Sequence, residues 1–198
     1  MFSWTQVGHV FLDAEALGQL GHRCAPERCT ATPHCCGSFE VAFDCSDAPR
    51  IVGMLPKAAL FAPHLREDGE LILPFDDTDD DLLAMETDED GLCLAAYRDG
   101  QGALRCSLHS AALEASFPPE RCKPRCCWLW PVSILDADNR TYVSVCEDVY
   151  AFPCNHRRRG MRRSLHPSVA QILRGAFTDD VVQAVNAALA ALPDPRLR

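Results

Sequence analysis

At 198 residues, with 47% apolar side chains and a net charge of −9, the chain can bury a core without staples and is too apolar for disorder to be its default state. The acidic balance argues against general affinity for nucleic acid. No stretch approaches the roughly 18 apolar residues of a membrane span. The opening MFSWTQVGHVFLDAEALGQL has no basic n-region, apolar h-region or cleavage site, so a cytoplasmic protein is expected.

In chain order, Phe2–Leu12 reads as a strand and Asp13–Leu20 as a short helix. Phe39, Val41 and Phe43 alternate with other residues and predict a short strand. Ser46 or Asp47 can cap a following helix, with Pro49 in its first turn and Ile51, Val52 and Leu55 as its apolar stripe. Leu71–Phe75 reads as another strand. Leu92–Ala95 and Ala103–Cys106 predict two strands around a turn at Arg98-Asp99-Gly100. A helix is expected over Ser107–Ala115, closed before Pro118-Pro119. Strands follow at Trp128–Ile134 and Thr141–Val145, with a turn at Asp136–Asn139 between them. From Pro167 onward, Val169, Ile172, Leu173, Ala176 and Phe177, and then Val181, Val182, Val185, Ala188, Leu189 and Leu192, keep helical spacing. They predict two amphipathic helices, the second capped by Thr178 or Asp179.

Twelve cysteines stand out against this background. They fall into three groups: Cys24, Cys29, Cys35, Cys36 and Cys45; Cys93 and Cys106; Cys122, Cys126, Cys127, Cys146 and Cys154. In a reducing compartment such a set is read as metal ligands rather than disulfides. No C-x-x-C occurs, which removes the thioredoxin-like motif, the usual zinc knuckles and the bacterial ferredoxin run. Thiolate is the ligating form, and four thiolates satisfy a tetrahedral zinc or a four-iron cluster. Two plainer readings stand beside this one. The cysteines can be small buried hydrophobes, above all Cys45, Cys122 and Cys126, or disulfide partners in an exported protein.

Several of these residues form an ordered pattern. It runs through Cys35-Cys36, then Leu92-Cys93-Leu94-Ala95-Ala96, then Cys106-Ser107-Leu108-His109, then Lys123-Pro124-Arg125-Cys126-Cys127-Trp128-Leu129-Trp130-Pro131. The pattern resembles the YkgJ-type cysteine-cluster family, a zinc- or iron-chelating domain, over about residues 22 to 156. The resemblance implies a ligand set of Cys24, Cys29, Cys35, Cys36, Cys93, Cys106, Cys127 and Cys154, with Cys146 as alternate for the last. The front departs from the family spacing at Cys24 and Cys29: C-x4-C-x5-C-C stands here in place of C-x-x-C-x-x-C-C. One relative is a lysine N-methylase acting on flagellin, and no residue here carries that activity over.

Other candidates are weaker. His109 follows Cys106 by three residues, which places both on one helical face, as a ligand, an outer hydrogen-bond donor or a packing residue. His22, His34 and His156 each lie one or two residues from a cysteine, and imidazole binds zinc. The acids between Asp76 and Asp90 (Asp76, Asp77, Asp79, Asp80, Asp81, Glu86, Asp88, Glu89 and Asp90) lack the EF-hand order and its glycine, and read as a solvated segment. Arg157, Arg158, Arg159, Arg162 and Arg163 could hold phosphate or RNA; neutralising a thiolate-rich site or the acidic segment is the favoured role. Trp128 and Trp130 could wall a metal site from water or simply fill a core strand.

The expectation is an irregular α+β fold, its short strands and loops organised around a cysteine-ligated metal site, over residues 1–156. A C-terminal helical segment, 157–198, packs on it. The expected property is binding of an iron–sulfur cluster or zinc, with no membrane partner. The alternatives are a metal-dependent redox or group-transfer enzyme of methyltransferase type, and a thiol redox sensor without metal. No catalytic residue or protein partner is legible.

Overall fold

The structure is a computed structural model, and it describes residues 4–24, 34–78, 82–159 and 163–192. Cys29, Asp79, Asp80, Asp81 and Arg162, all named above, lie outside the described residues. The chain opens with β1 (Trp4–Val7), β2 (Val10–Asp13), α1 (Ala14–Gln19) and β3 (Leu20–His22). Next come α2 (Cys35–Ser38), β4 (Ala42–Asp44), α3 (Ala48–Ala58), β5 (Arg66–Glu67), β6 (Glu70–Leu71), β7 (Phe75–Asp77) and β8 (Leu82–Met85). Then follow β9 (Ala96–Arg98), β10 (Leu104–Cys106), α4 (Ser107–Glu114) and α5 (Arg125–Leu129). The last elements are β11 (Val132–Ala137), β12 (Arg140–Val145), β13 (Asn155–Arg157), α6 (Pro167–Ala176) and α7 (Asp179–Ala191). This mixture of helices and short strands is α+β, as the sequence predicts. The chain divides into two compact units: Met1–Cys24 with Leu129–Arg198, and Ala25–Trp128.

The first unit is built on a four-stranded sheet in the order β1-β2-β12-β11. The single strand expected over Phe2–Leu12 is a hairpin instead, because Gly8 turns the chain at a φ of +56° that side chains disfavour. The β11–β12 turn is made by Asp138 and Asn139, both at positive φ (52° and 57°), the geometry a tight hairpin requires. β2 and β12 run parallel, with Val10 opposite Thr141 and Leu12 opposite Val143. Alternation then sends Val10, Leu12, Val132 and Val143 into one core. Leu17 of α1, Val169 and Leu173 of α6, and Val185 and Leu189 of α7 close it. Both terminal helices form where the spacing places them. Thr178 is the N-cap of α7, and Asp179 and Asp180 in its first turn suit the positive end of the helix dipole.

The second unit has shorter pieces. β4, β8 and β7 make a three-stranded antiparallel sheet, and β9–β10 and β5–β6 are separate two-stranded ladders. Helix α3 starts at the predicted place, with Asp47 as N-cap and a proline in its first turn. Its buried stripe is Ile51, Met54, Leu55 and Ala58; Val52 faces solvent, one step off the face that α4 covers. Leu108, Ala111 and Ala112 of α4 complete that contact, and Phe43 meets Phe75 edge-on at 5.4 Å.

Three further elements differ from expectation. Leu71–Phe75 is not one strand: Leu71 ends β6 and Phe75 opens β7. The first strand of the Cys106 hairpin is Ala96–Arg98, not Leu92–Ala95. The earlier residues are held by a turn in which the Asp88 carboxylate accepts from Asp90 and Leu92 N–H, at 3.0 and 2.9 Å. Trp128 lies on α5, and the following strand begins only at Val132, after a proline that has no N–H to give a ladder.

Candidate metal centre

Local hydrogen bonding in the second unit draws distant cysteines together. One helical turn, α2, carries Cys35 and Cys36. The Cys36 carbonyl accepts the Cys93 N–H at 2.8 Å, and on its other side Cys93 bridges to Thr87. The Ala96 N–H donates to the Cys93 carbonyl at 2.7 Å, and Cys106 is the ladder partner of Ala96. Cys93 and Cys106 are thus tied through one short backbone link. The hairpin holding Cys106 is closed by Asp99. Its carboxylate accepts from the Gln101 and Ala103 N–H groups at 2.9 and 3.0 Å and from Arg105 Nε at 2.5 Å. These bonds, the one from Arg105 first, hold the Asp99 carboxyl below the usual range.

Cys127 arrives on α5, whose first N–H, from Arg125, donates to the Asp47 carboxylate at 2.9 Å. Asp47 also pairs with Arg50, so the start of α3 anchors α5. Cys93, Cys106 and Cys127 are half-buried and pack against the same hydrophobic core. Cys36 is half-buried and Cys35 exposed.

At the electrostatic centre of this group stands Lys123. The residue keeps some exposure, but its ammonium group lies deep among surrounding atoms. Burial pulls its pKa down, and the charges of Cys106, Cys127, Cys35 and Cys36 more than reverse that, so it stays protonated. The same residues feel it in return. Cys35 shares a side-chain hydrogen bond with Cys36, which, with help from Lys123, lowers its pKa to about 6 against the crowding around its sulfur. Cys36 is driven the other way by that bond, then by burial. Burial and the nearby Cys106 push Cys93 up to about 12. Cys127 is raised by its bond to Cys126 and by burial. His109, on α4, is held down to about 4 by burial and then by Lys123, so its imidazole is neutral at pH 7.

The remaining sequence candidates are placed as follows. Cys122 is fully buried in the core, its Sγ 3.9 Å from the Pro118 carbonyl. Cys126 is exposed and its Sγ donates to the Ala42 carbonyl at 3.5 Å. Cys45 is exposed beside α3. Cys24, Cys146 and Cys154 belong to the first unit. There β3 pairs with β13, and the Arg23 N–H donates to the Cys154 carbonyl at 2.8 Å. His22 is buried in that ladder, its Nδ1 2.7 Å from Asn155 Oδ1. Arg157, Arg158 and Arg163 serve the first unit's own backbone and rings. Arg158 reaches the Ser164 and Gly18 carbonyls at 2.6 and 3.2 Å, Arg163 reaches the Ala190 carbonyl at 3.2 Å, and Arg157 lies over the Tyr150 ring.

Lys123 and Ser107 are site groups that the sequence does not single out, whereas His34 is among its candidates. In the sequence Lys123 stands only as part of a motif; an isolated lysine immediately before Pro124 and the Cys126-Cys127 pair is its one signal. Ser107, directly after Cys106, buries its hydroxyl with no hydrogen-bond partner, and so does the Nδ1 of His34, directly before Cys35. Among the described residues, no group of three or more His, Cys, Asp or Glu side chains stands in metal-holding geometry. No helix among them is long and apolar enough to cross a membrane. Comparison of the chain with protein-family models, curated proteins and solved structures gave no match.

Proposed function

We propose that this protein binds zinc or an iron–sulfur cluster through thiolates drawn from Cys35, Cys36, Cys93, Cys106 and Cys127. The observation that carries the reading is the set of backbone links joining Cys36 to Cys93 and Cys93, through Ala96, to Cys106, with Cys93, Cys106 and Cys127 packed against one core; the charge of Lys123 acts on the same cysteines. Packing several thiols around one cation is costly when they ionise, because one ammonium cannot balance them. A divalent ion or a cluster supplies the missing positive charge, and lysine then offsets part of the excess that four thiolates leave on the centre. The donor set is soft sulfur, which suits zinc and iron over magnesium or calcium. The orphaned Ser107 hydroxyl and His34 nitrogen beside two of these cysteines fit a further polar guest. The motif resemblance to cysteine-cluster chelating domains points the same way.

The exposure of Cys35 favours a second reading, in which the centre is a working cofactor for redox or group transfer rather than a sealed structural ion. The shared proton of Cys35 and Cys36 also suits a metal-free thiol sensor.

The test is anaerobic purification of the full chain with metal and sulfide analysis and an absorption spectrum. Iron with inorganic sulfide and broad visible absorption identifies a cluster. Stoichiometric zinc in a colourless protein identifies a zinc site. A folded chain that carries no metal and takes up neither zinc nor iron overturns the proposal.

A further inference from the structure

We propose that His34 is an imidazole ligand of the same metal, making the centre a mixed sulfur–nitrogen site; the inference rests on the metal reading above. His34 directly precedes Cys35, with extended backbone (φ −132°, ψ 147°) at the N-cap of α2. Its carbonyl accepts the Gly37 N–H at 3.1 Å, which fixes the turn. The ring lies against Gly37 so closely that a Cβ there would stand 2.6 Å from its Cε1 and 3.0 Å from its Nδ1. The same Cβ would meet Leu92 Cδ2 at 2.9 Å. A Cβ at position 37 would displace the imidazole or Leu92 from this arrangement.

That position is where two cysteine-bearing segments join. Leu92 precedes Cys93, and the Cys93 N–H donates to the Cys36 carbonyl at 2.8 Å. The imidazole is therefore fixed at the Cys35, Cys36 and Cys93 end of the cluster. Its Nδ1 is buried and makes no hydrogen bond. A buried ring nitrogen without a partner is unfavourable, and folded proteins seldom tolerate one unless something absent from the protein chain meets it. With the proton on Nε2, Nδ1 carries a free lone pair, the form in which histidine binds metals. Zinc and iron both accept imidazole beside thiolate.

The experiment is X-ray absorption on the full chain, loaded anaerobically with zinc, or with iron and sulfide where zinc does not bind. Wild type, His34→Ala and His109→Ala are compared. With zinc, the expected wild-type shell contains a nitrogen at about 2.0–2.1 Å besides sulfur at about 2.3 Å. That nitrogen should vanish in His34→Ala and persist in His109→Ala, and metal affinity should fall about tenfold or more in His34→Ala alone. A sulfur-only wild-type shell overturns the inference and leaves the metal reading standing. Loss of the nitrogen in His109→Ala, with His34→Ala unchanged, also overturns it. A chain that binds neither metal overturns both. If His34→Ala does not fold, the wild-type and His109→Ala spectra still decide: nitrogen retained without His109 supports His34, and nitrogen lost rejects it.

Discussion

The two units solve the problem of stability differently. In the first, a parallel β2–β12 pair and two amphipathic helices bury Leu12, Leu17, Val143, Val169, Leu173 and Leu189 almost completely. In the second, strands of two to four residues enclose a core whose edge is partly made of Cys93, Cys106 and Cys127. A unit that lines its core with thiols and a lysine ammonium gains less from hydrophobic burial there. The first unit is expected to hold itself together by packing, and the second to depend on what its cysteines bind.

The largest expected effect breaks that comparison outright if it fails. Stripping the metal with a chelator should raise amide exchange strongly at Cys93, Ala96 and Ser107, since binding energy at such centres is folding energy of order 10 kcal/mol. Exchange at Leu12 and Val143 should hardly change. A uniform rise across both units would show that the second has no special dependence on metal.

Next in size are single substitutions. Leu12→Ala and Val143→Ala should cost about 2–4 kcal/mol in denaturant unfolding with metal content unchanged. Cys127→Ser should remove most of the bound metal, whereas Cys122→Ser should cost about 1–2 kcal/mol by burying a hydroxyl and leave metal content near wild type. Metal analysis of the purified variants separates them, and equal losses would show that the ligand assignment is wrong.

Lys123→Met keeps the unbranched stem of the side chain and removes its charged end. It should weaken metal binding about tenfold, measured by competition with a chelator, with Lys123→Arg intermediate. An unchanged affinity would leave Lys123 no electrostatic part.

The smallest effect lies in the first unit. Burial, then Arg158 and His156, hold His166 below its ordinary value of 6.5, and its Nδ1 accepts the Ser168 N–H at the start of α6. The unfolded chain therefore takes up a proton on this residue before the folded one does. The stability His166 contributes is present above pH 6.5 and is lost as pH falls from there toward the lowered folded value. His166→Asn should flatten that part of the stability curve, read by thermal unfolding at several pH values. An identical slope in the variant would remove His166 as its source.

Much of the first unit was legible because its signals are local. The apolar positions of Pro167–Ala176 and Asp179–Ala191 repeat at helical spacing, Pro167 opens the first helix and Thr178 is the N-cap of the second. The second unit was harder to read. Trp128 sits in a run that reads as a strand, yet it is helical because tertiary contacts of Arg125 and Cys126 fix α5. Leu92–Ala95 looked like a strand, but its backbone partners lie in the distant Cys36 and the Asp88 turn.

The candidate site divides along the same line. By itself the sequence determined the chemistry on offer: soft sulfur ligands in excess of what one core needs, neighbouring histidines and an acidic surface. Those follow from residue types alone. Tertiary structure decided that Cys35, Cys36, Cys93, Cys106 and Cys127 share one unit with Lys123, and that Arg157, Arg158 and Arg163 serve carbonyls and a ring of the other. Periodicity and spacing report contacts a few residues apart, whereas the burial of an ammonium and the meeting of remote thiols depend on how segments far apart in the chain pack.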